Sequence, residues 1–408
     1  MPKSTFFTGQ PIFSQLLQLI PSGLTTRLIK EHKTDHYVKT FKSRDHIISM
    51  LYQGFFQCLS IRELITGLQA NSERLRHLGI DHTPRRSTLA DANRRRPAAF
   101  FEALYHAVYK LHQKHLPDSR TQDRQLFIID STTISLFSNI MRGAGTSKKD
   151  GRRKGGVKAH VLVDSAHNIG SFVWVTEGKE HDLGFLKKVD VPPGSTIVFD
   201  MGYINYTRFI EWEMEGTTWV TRQKADAYHV ITERRVVDMQ ALTAGVLEDN
   251  DVILGRPGNE PTTLMVAARR IRFKDPVTGR IFIFLTNNTS LEPQEVAAIY
   301  KKRWQIELLF KRIKQRYPLK YFVGDSENAI RIQIWSILLC DMLVQIVLHK
   351  TNGLRKTKWS YANLSSMIKH HLMTYIKLFD FLKDPEKALL KRQQLPTLKG
   401  TLFEQTGA

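Results

Sequence analysis

Residues 300–314 read YKKRWQIELLFKRIK and contain neither glycine nor proline. A turn-like stretch precedes them at residues 289–293, and the uninterrupted run of helix formers predicts one continuous helix. At about 100° per residue, one stripe roughly 80° wide holds a single acid among bases and a tyrosine: Tyr300, Arg303, Glu307, Lys311 and Lys314. A separate apolar arc is predicted to pack inward; it consists of Ile306, Leu309, Phe310 and Ile313.

Two interpretations of this helix are open. An ordinary solvated basic helix would pair its glutamate with bases one turn away. Alternatively, Glu307 binds a metal ion while its basic neighbours hold a polyanion. Two aspartates favour the second interpretation: Asp130 closes the apolar run QLFIID at residues 125–130, and Asp200 closes STIVFD at residues 195–200. Each ends a predicted buried strand, and the sites of α/β sheets gather at such strand ends.

The chain carries a large excess of positive charge, which bounds its partners. It has 408 residues, 42% of them hydrophobic, and a net charge of +21. This length allows two or three domains with a sizeable core, and the composition excludes a disordered chain. The charge is spread along the chain, which favours a long polyanion bound at many points. Nucleic acid is the first candidate and an anionic membrane surface the second.

Cysteine content and hydropathy indicate a soluble protein of a reducing compartment. The two cysteines, Cys58 and Cys340, lie in apolar helical segments, so neither a disulfide framework nor a cysteine-ligated zinc site is expected. The first ten residues lack the apolar run of a signal peptide. Polar residues interrupt the most apolar segment, residues 332–349, which is therefore predicted to be a buried core helix rather than a membrane span.

Residues 1–120 are predicted to form a helical DNA-binding domain. Amphipathic spacing predicts helices at residues 11–30, 45–58, 60–68 and 98–115. A further helix follows the turn at residues 83–86 and ends in Arg94, Arg95 and Arg96. We expect these three arginines to contact DNA, although a solvated basic helix end is the alternative.

The rest of the chain is predicted to form a mixed sheet with an insertion. Residues 121–223 form the first part of the core, with strands at 125–130, 157–164, 170–176, 195–200 and 217–222, and with 131–137 as a separate strand after a turn. Helices are predicted at 183–189, capped by Asp182, and at 204–215. A β-rich insertion (224–290), the second part of the core with the Glu307 helix (291–350) and a helical C-terminal region (351–408) follow.

Asp130, Asp200 and Glu307 are far apart in sequence, so only the fold can bring them together. Three carboxylates on two strand ends and a helix make an all-oxygen site of the kind that suits Mg²⁺ or Mn²⁺. Two such ions stabilise the attacking and leaving oxygens of a phosphodiester displacement. One strand-ending aspartate alone is more often a turn or cap residue, but three acids in this order in a basic chain predict a catalytic site.

On these residues the chain resembles the DDE transposases of bacterial insertion sequences, in the IS-four-like group. The resemblance consists of FIID ending at Asp130, FDMGY with its Asp200, and a Tyr-two-Arg-three-Glu-six-Lys spacing. That spacing is matched without a gap by Tyr300, Arg303, Glu307 and Lys314. The resemblance covers about residues 125–350, and residues 7–96 resemble the amino-terminal segment of one branch of these proteins.

The resemblance implies an RNase H-like catalytic core with residues 224–290 as its insertion domain. It implies that the three carboxylates bind two Mg²⁺ ions, with Mn²⁺ as a possible substitute. Tyr300, Arg303 and Lys314 would hold DNA phosphates, and Lys311 is expected to contact DNA beside them. His160 lies in a strand similar to the family's and either faces the site or belongs to the core.

The implied activity is cut-and-paste transposition of an insertion sequence. Family members cleave double-stranded DNA at terminal inverted repeats and join the ends to target DNA as homodimers, in the bacterial cytoplasm and associated with the nucleoid. Two alternatives stay open: a transposase-derived DNA-binding protein that does not cut, and an RNase H-like nuclease without strand transfer. The intact acidic set argues against the first, and the joining of ends to a second DNA distinguishes the second.

Overall fold

The computed structural model describes most of the chain and divides it into two compact units. The described residues are 9–80, 82–113, 125–135, 145–146, 154–165, 169–177, 183–256, 264–317, 319, 321–355 and 357–393. One unit comprises residues 1–116 and 321–408, and the other comprises residues 117–320. We call them the helical unit and the sheet unit.

The described residues form sixteen α-helices and ten strands. The helices are α1 Ile12–Leu17, α2 Ser22–Glu31, α3 Ser43–Phe56, α4 Ile61–Ala70, α5 Ser72–Arg76, α6 Arg86–Arg95, α7 Ala98–His112, α8 Leu183–Leu186, α9 Tyr206–Met214, α10 Met239–Ala244, α11 Pro293–Lys302, α12 Trp304–Arg316, α13 Glu327–Lys350, α14 Tyr361–His371, α15 Leu378–Lys383 and α16 Pro385–Gln393. The strands are β1 Leu126–Ser135, β2 Gly145–Thr146, β3 Lys154–Asp164, β4 Ile169–Glu177, β5 Thr196–Phe199, β6 Thr218–Arg222, β7 His229–Arg234, β8 Val246–Leu254, β9 Val266–Lys274 and β10 Ile281–Thr286.

The sheet unit is built on one mixed sheet with the strand order β2-β3-β1-β5-β6-β10-β9-β8-β7, and β4 pairs with β3. Strands β1, β3 and β4 pair antiparallel, whereas β1, β5 and β6 run parallel. Three antiparallel strands followed by two parallel ones form the RNase H-like core, which confirms the predicted fold class. The inserted strands β7–β10 extend the same sheet beyond β6, and the insertion also contains the short helix α10.

Apolar residues alternate between the two faces of the parallel strands. Ile197, Phe199 and Trp219 pack with α8 and α9 in one core, while Val198 and Val220 pack with α11 in the other. This alternation follows from the two-residue period of a strand. The sheet is therefore covered on both faces, and its strand ends are held in fixed positions.

Two predicted elements differ from the structure. Residues 131–135 do not begin a second strand, because β1 pairs with β3 without interruption from Phe127 to Ser135. The predicted helix at 300–314 is two helices, α11 and α12, that meet at Arg303. The Arg303 N–H donates to the Tyr300 carbonyl at 3.0 Å, three residues back, so the chain tightens locally as in a 3₁₀ turn. The predicted cap at Asp182 lies outside the described residues.

The helical unit takes more of the carboxyl-terminal chain than predicted. The sequence predicts that residues 327–350 belong to the catalytic core, but α13 packs against α3, α6, α7 and α14 in the helical unit. It is long and apolar enough to cross a membrane, yet 89% of its most apolar window is buried inside the protein. Residues 332–347 of α13 are buried on every face, so the surrounding helices cover this segment on all sides. The prediction of a buried core helix is confirmed.

Candidate active site

Sheet register brings the two aspartates side by side. Strands β1 and β5 run parallel, with Ile129 opposite Phe199. Asp130 and Asp200 are the next residues on their strands, so both emerge at the same edge of the sheet. The Asp130 Oδ1 accepts the Ser131 N–H at 2.7 Å, which fixes one side of its carboxylate.

Asp200 is held by donors from three directions. Its Oδ1 accepts the Met201 N–H at 2.9 Å, the Arg222 guanidinium at 3.0 Å and the Tyr300 hydroxyl at 3.4 Å. The Met201 bond caps the short 3₁₀ turn Met201–Tyr203. Asp200 is therefore fixed by the backbone that follows β5, by the end of β6 and by α11.

Arg303 joins the remaining two carboxylates. Its guanidinium lies 3.2 Å from Asp130 Oδ2 and 2.6 Å from Glu307 Oε1. The Arg303 side chain is only 12% exposed and that of Asp130 19%, so this ion pair is largely shielded from water, whereas the Glu307 side chain is 32% exposed. Its buried Nε–H has no acceptor among the described residues. The guanidinium is therefore incompletely satisfied in this position, and a buried donor without a hydrogen-bond partner costs free energy.

Burial and charge separate the pKa values of the two aspartates. Burial raises the pKa of Asp130 to about 6, and the carboxylates of Glu307 and Asp200 add to this effect. For Asp200, burial alone would raise the pKa, but hydrogen bonds from Met201 and Arg222 and the charge of Arg303 lower it. Asp130 thus holds a proton more readily than an ordinary carboxylate, whereas Asp200 stays ionised.

Tyr300 lies between two guanidinium groups. The Arg222 and Arg303 guanidinium carbons each lie 5.7 Å from the centre of its ring. Burial raises the pKa of Tyr300, so its hydroxyl remains a donor to Asp200 at neutral pH. The ring positions both arginines beside the acids, an attractive arrangement since cations favour the faces of aromatic rings.

The carboxylates of Asp130, Asp200 and Glu307 are ligands of the kind that a divalent cation such as Mg²⁺ prefers. In this structure the three carboxylates do not surround one common point. Within the part of the chain that the structure describes, no group of three acidic, histidine or cysteine side chains is close enough to hold an ion. The Arg303 guanidinium lies between Asp130 and Glu307 and stands in for a cation there. Carboxylate oxygens are the ligands that a hard divalent ion prefers, so the chemistry of the donor set fits such an ion.

Sequence reasoning missed Arg222. It ends β6, which pairs in parallel with β5 so that Val198 lies opposite Val220. Arg222 therefore occupies the same position on its strand as Asp200 does on β5. The strand-end rule that identified the two aspartates would have found it, had basic residues been considered as well as acidic ones.

The predicted DNA contacts differ in exposure. Lys311 and Lys314 on α12 are exposed, as are Arg94 and Arg95 at the end of α6. Arg96 is only 6% exposed, and its guanidinium donates to the Phe41 carbonyl and lies 5.4 Å from the Phe41 ring centre. The prediction that Arg96 contacts DNA is corrected, because this packing holds its charge inside the helical unit.

His160 belongs to the core. It is fully buried, stacks on Phe185 with ring centres 5.2 Å apart, and its Nδ1 lies 3.2 Å from the Tyr203 hydroxyl. Of the two positions that sequence left open for this histidine, the structure therefore supports the structural one.

An acidic strand edge on an RNase H-like sheet, flanked by bases, defines the class of enzymes that break and join phosphodiester bonds. The family model described as "Transposase DDE domain" matches residues 121–343, and the chain belongs to this family. A second model, described as a domain of unknown function (DUF4372), matches residues 8–81. Members of the DDE family are generally dependent on divalent metals.

Two relatives by sequence agree with this assignment. A protein named as a transposase, y4zB of Sinorhizobium fredii, is 31% identical over 265 residues, which is 65% of this chain and 72% of the relative. A transposase for the insertion sequence element IS4SA of Synechocystis is 21% identical over 78% of this chain and 87% of its own. The solved piggyBac transposase synaptic complex with hairpin DNA aligns at a TM-score of 0.40 and 9% identity, covering 97% of this chain and 87% of that one.

The chain is thus a transposase of the insertion-sequence kind, with DNA as its partner, as the sequence predicted. A DNA-binding descendant without enzymatic activity is not favoured.

Proposed function

We propose that Asp130, Asp200 and Glu307 are the catalytic carboxylates with which this transposase cleaves the ends of its element and joins them to target DNA. The observation that carries the proposal is that Asp130 and Asp200 emerge at one sheet edge, while the Arg303 guanidinium bridges Asp130 to Glu307 on α12. Neighbouring carboxylates repel one another, and a cation between them relieves that repulsion.

The three acids would hold two Mg²⁺ ions, or Mn²⁺ in their place. Bound ions of this kind supply charge stabilisation for the attacking and leaving oxygens of an in-line displacement. Asp200 is preset for ligation, since the Met201 N–H, Arg222 and Tyr300 fix its orientation and favour its ionised form. Asp130 is held at the adjacent strand position by the Ser131 N–H.

The Arg303 guanidinium would pair with carboxylates before DNA binds and with a DNA phosphate afterwards. In the protein without DNA it neutralises Asp130 and Glu307, and its Nε–H lacks an acceptor among the described residues. A DNA phosphate offers a guanidinium two parallel hydrogen bonds, which a shared pair of carboxylates does not. We therefore assign Arg303 and Tyr300 to the phosphate beside the cleaved bond, and Lys311 and Lys314 to phosphates further along the strand.

The helical unit would bind the terminal inverted repeats through α6. The exposed side of α6 consists of Arg86, Ser87, Ala90, Arg94 and Arg95. Its small central residues allow close approach to a groove, and the arginines at each end can contact phosphates. We propose that the protein acts as a homodimer on paired ends in the cytoplasm, associated with the nucleoid.

Cleavage of end-containing DNA tests the proposal. DNA carrying the terminal repeats and flanks is incubated with Mg²⁺ and wild type or Glu307→Gln, and products are resolved on a denaturing gel. Nicks at the repeat boundary and joined products are expected with wild type and are expected to be absent with the variant. Glu213→Gln removes an exposed glutamate of the same unit and should act like wild type.

Other product patterns would point elsewhere. Nicks without joined products would indicate an RNase H-like nuclease. Binding without any cut in Mg²⁺ and Mn²⁺ would indicate a DNA-binding descendant. Cleavage by Glu307→Gln at the wild-type rate would show that the site assignment is wrong.

A further inference from the structure

Two arginines of the insertion contact the chain just before α11. Arg235, directly after β7, donates to the Thr289 carbonyl at 2.8 Å, and Arg269 on β9 lies 3.4 Å from the same carbonyl. Arg269 also donates to the Leu291 carbonyl at 2.5 Å. Helix α11 begins two residues after Leu291. The insertion therefore binds the start of the helix that carries Tyr300.

An aspartate of β8 fixes each of these arginines. The Arg269 Nε and Nη2 donate to the two carboxylate oxygens of Asp249 at 2.8 and 2.6 Å. The Arg235 Nε lies 3.0 and 3.1 Å from the carboxylate oxygens of Asp251. In both arginines the Nη1, which does not bind the aspartate, is the donor to the backbone carbonyls. A planar guanidinium can donate in two fixed directions at once, so these four side chains form what we call the insertion clamp.

The Arg269–Asp249 pair of the insertion clamp is buried, with each side chain only 4% exposed. Removing two charges from water costs free energy that their attraction often fails to exceed. Apolar side chains of similar volume are frequently as stabilising as a buried ion pair or more so. The geometry that this pair fixes therefore explains its presence better than a gain in stability does.

The other contacts of α11 are less directional. Leu291, Val296 and Ala297 pack in the apolar core on this face of the sheet, and apolar burial does not favour one exact position. The Tyr300 hydroxyl lies 3.4 Å from Asp200 Oδ1, which is long for a hydrogen bond between two oxygens. A small displacement of α11 is therefore enough to make or break this bond.

We propose that the insertion clamp positions α11, and with it Tyr300 and Arg303, against the carboxylates of the candidate site. Helix α11 is ten residues long, about 15 Å, and Arg303 follows it directly. Because a helix of this length moves as one body, a hold on its first turn also fixes its last turn. Arg269 is the principal positioning residue, and this role rests on the proposed function of the neighbouring carboxylates.

Replacing both members of the buried pair tests the role of the insertion clamp. The full-length variant Arg269→Met with Asp249→Leu removes the two charges together and should keep its Tm within about 5 °C of wild type. Arg269→Met alone should lower the Tm further, because Asp249 is then buried without a partner. In the double variant, amides of residues 294–303 should exchange hydrogen roughly tenfold faster than in wild type, while those of α9 should not change.

Cleavage of end-containing DNA measures the consequence for the reaction. With saturating DNA and Mg²⁺, the double variant should cut roughly 10- to 100-fold more slowly than wild type. When the same two substitutions are added to Arg303→Ala, they should lower the rate by a much smaller factor, because the insertion clamp acts through Arg303 and Tyr300. Arg272→Met, on the same strand and 40% exposed, is the control and should change neither cleavage nor exchange.

Wild-type cleavage together with wild-type exchange of residues 294–303 in the double variant would overturn the positioning role. Faster exchange throughout the sheet unit, with the same loss of rate in the Arg303→Ala background, would overturn it too, since it would show general loosening. If the double variant does not fold, Arg235→Met with Asp251→Leu, a pair 27% and 25% exposed, takes its place in the same measurements. If wild type itself does not cut, the proposed function fails, whereas the exchange of residues 294–303 still tests the insertion clamp.

Discussion

Replacing Asp130 with asparagine should stabilise the protein in the absence of metal. Burial raises the pKa of Asp130 to about 6 from an ordinary value of 3.8, so its ionised form is disfavoured in the folded state. Asparagine has the shape of the neutral acid and can still accept the Ser131 N–H through its side-chain oxygen. The variant therefore removes a charge that the folded site disfavours.

The difference between the folded and ordinary pKa values of Asp130 sets the expected gain in unfolding free energy. Raising a pKa from 3.8 to about 6 corresponds to about 3 kcal/mol of unfolding free energy at pH above 6, at about 1.4 kcal/mol per unit. The Asp130 side chain is 19% exposed, so solvent screening is limited. For a domain of 150–250 residues this free energy corresponds to a rise of roughly 6–12 °C in Tm.

The sign of the pH dependence follows from proton linkage. The folded protein binds the Asp130 proton more tightly than the unfolded chain does, so wild type loses stability as the pH rises from about 4 to above 6. Asp130→Asn should lack this component. The stability difference between the two proteins should therefore be small near pH 4 and reach its full size above pH 6.

Thermal and urea unfolding in EDTA between pH 4.5 and 8.0 measure this difference. Asp190→Asn, a matched change at an exposed aspartate of the same unit, is the control and should leave stability unchanged within about 0.5 kcal/mol. Mg²⁺ should stabilise wild type more than Asp130→Asn, since the variant lacks one ligand. Equal or lower stability of Asp130→Asn in EDTA at pH 7.5 would refute the claim that the folded site disfavours this charge.

Four further substitutions test the candidate site and the helical unit. Arg303→Ala should weaken binding of element ends without weakening Mn²⁺ binding in calorimetry, because the guanidinium competes with a cation for Asp130; a large loss of Mn²⁺ affinity would contradict this. Arg222→Gln removes a donor that lowers the pKa of Asp200, so the acid limb of the cleavage pH profile should move to higher pH; an unmoved limb would rule out this role. Arg96→Ala should lower the unfolding free energy by about 3 kcal/mol in urea, because it removes a buried guanidinium that packs on Phe41 and lies 3.7 Å from the half-buried carboxylate of Asp35. Arg94→Ala should leave stability unchanged and reduce the salt dependence of DNA binding; the opposite pattern would return Arg96 to the DNA surface.

Patterns within short stretches of the sequence were enough to predict the three acids that we propose as the catalytic site. Apolar runs that end in Asp130 and Asp200 predict strands with a carboxylate at their end, and the helical spacing predicts that Glu307 lies beside Arg303. The i,i+4 pair of Arg303 and Glu307 is such a local feature. Local patterns predict these features because strand alternation and helix periodicity depend only on nearby residues.

The tertiary structure decided which charges face one another. Arg94 and Arg96 are near neighbours in sequence, yet one is exposed and the other is buried against Phe41, 55 residues earlier. Arg303 pairs with Asp130 across 173 residues, a contact set by the packing of α12 on β1. Sheet register placed Arg222 level with Asp200. Such partners are chosen by packing and strand pairing between distant segments, and no periodicity within either segment records them.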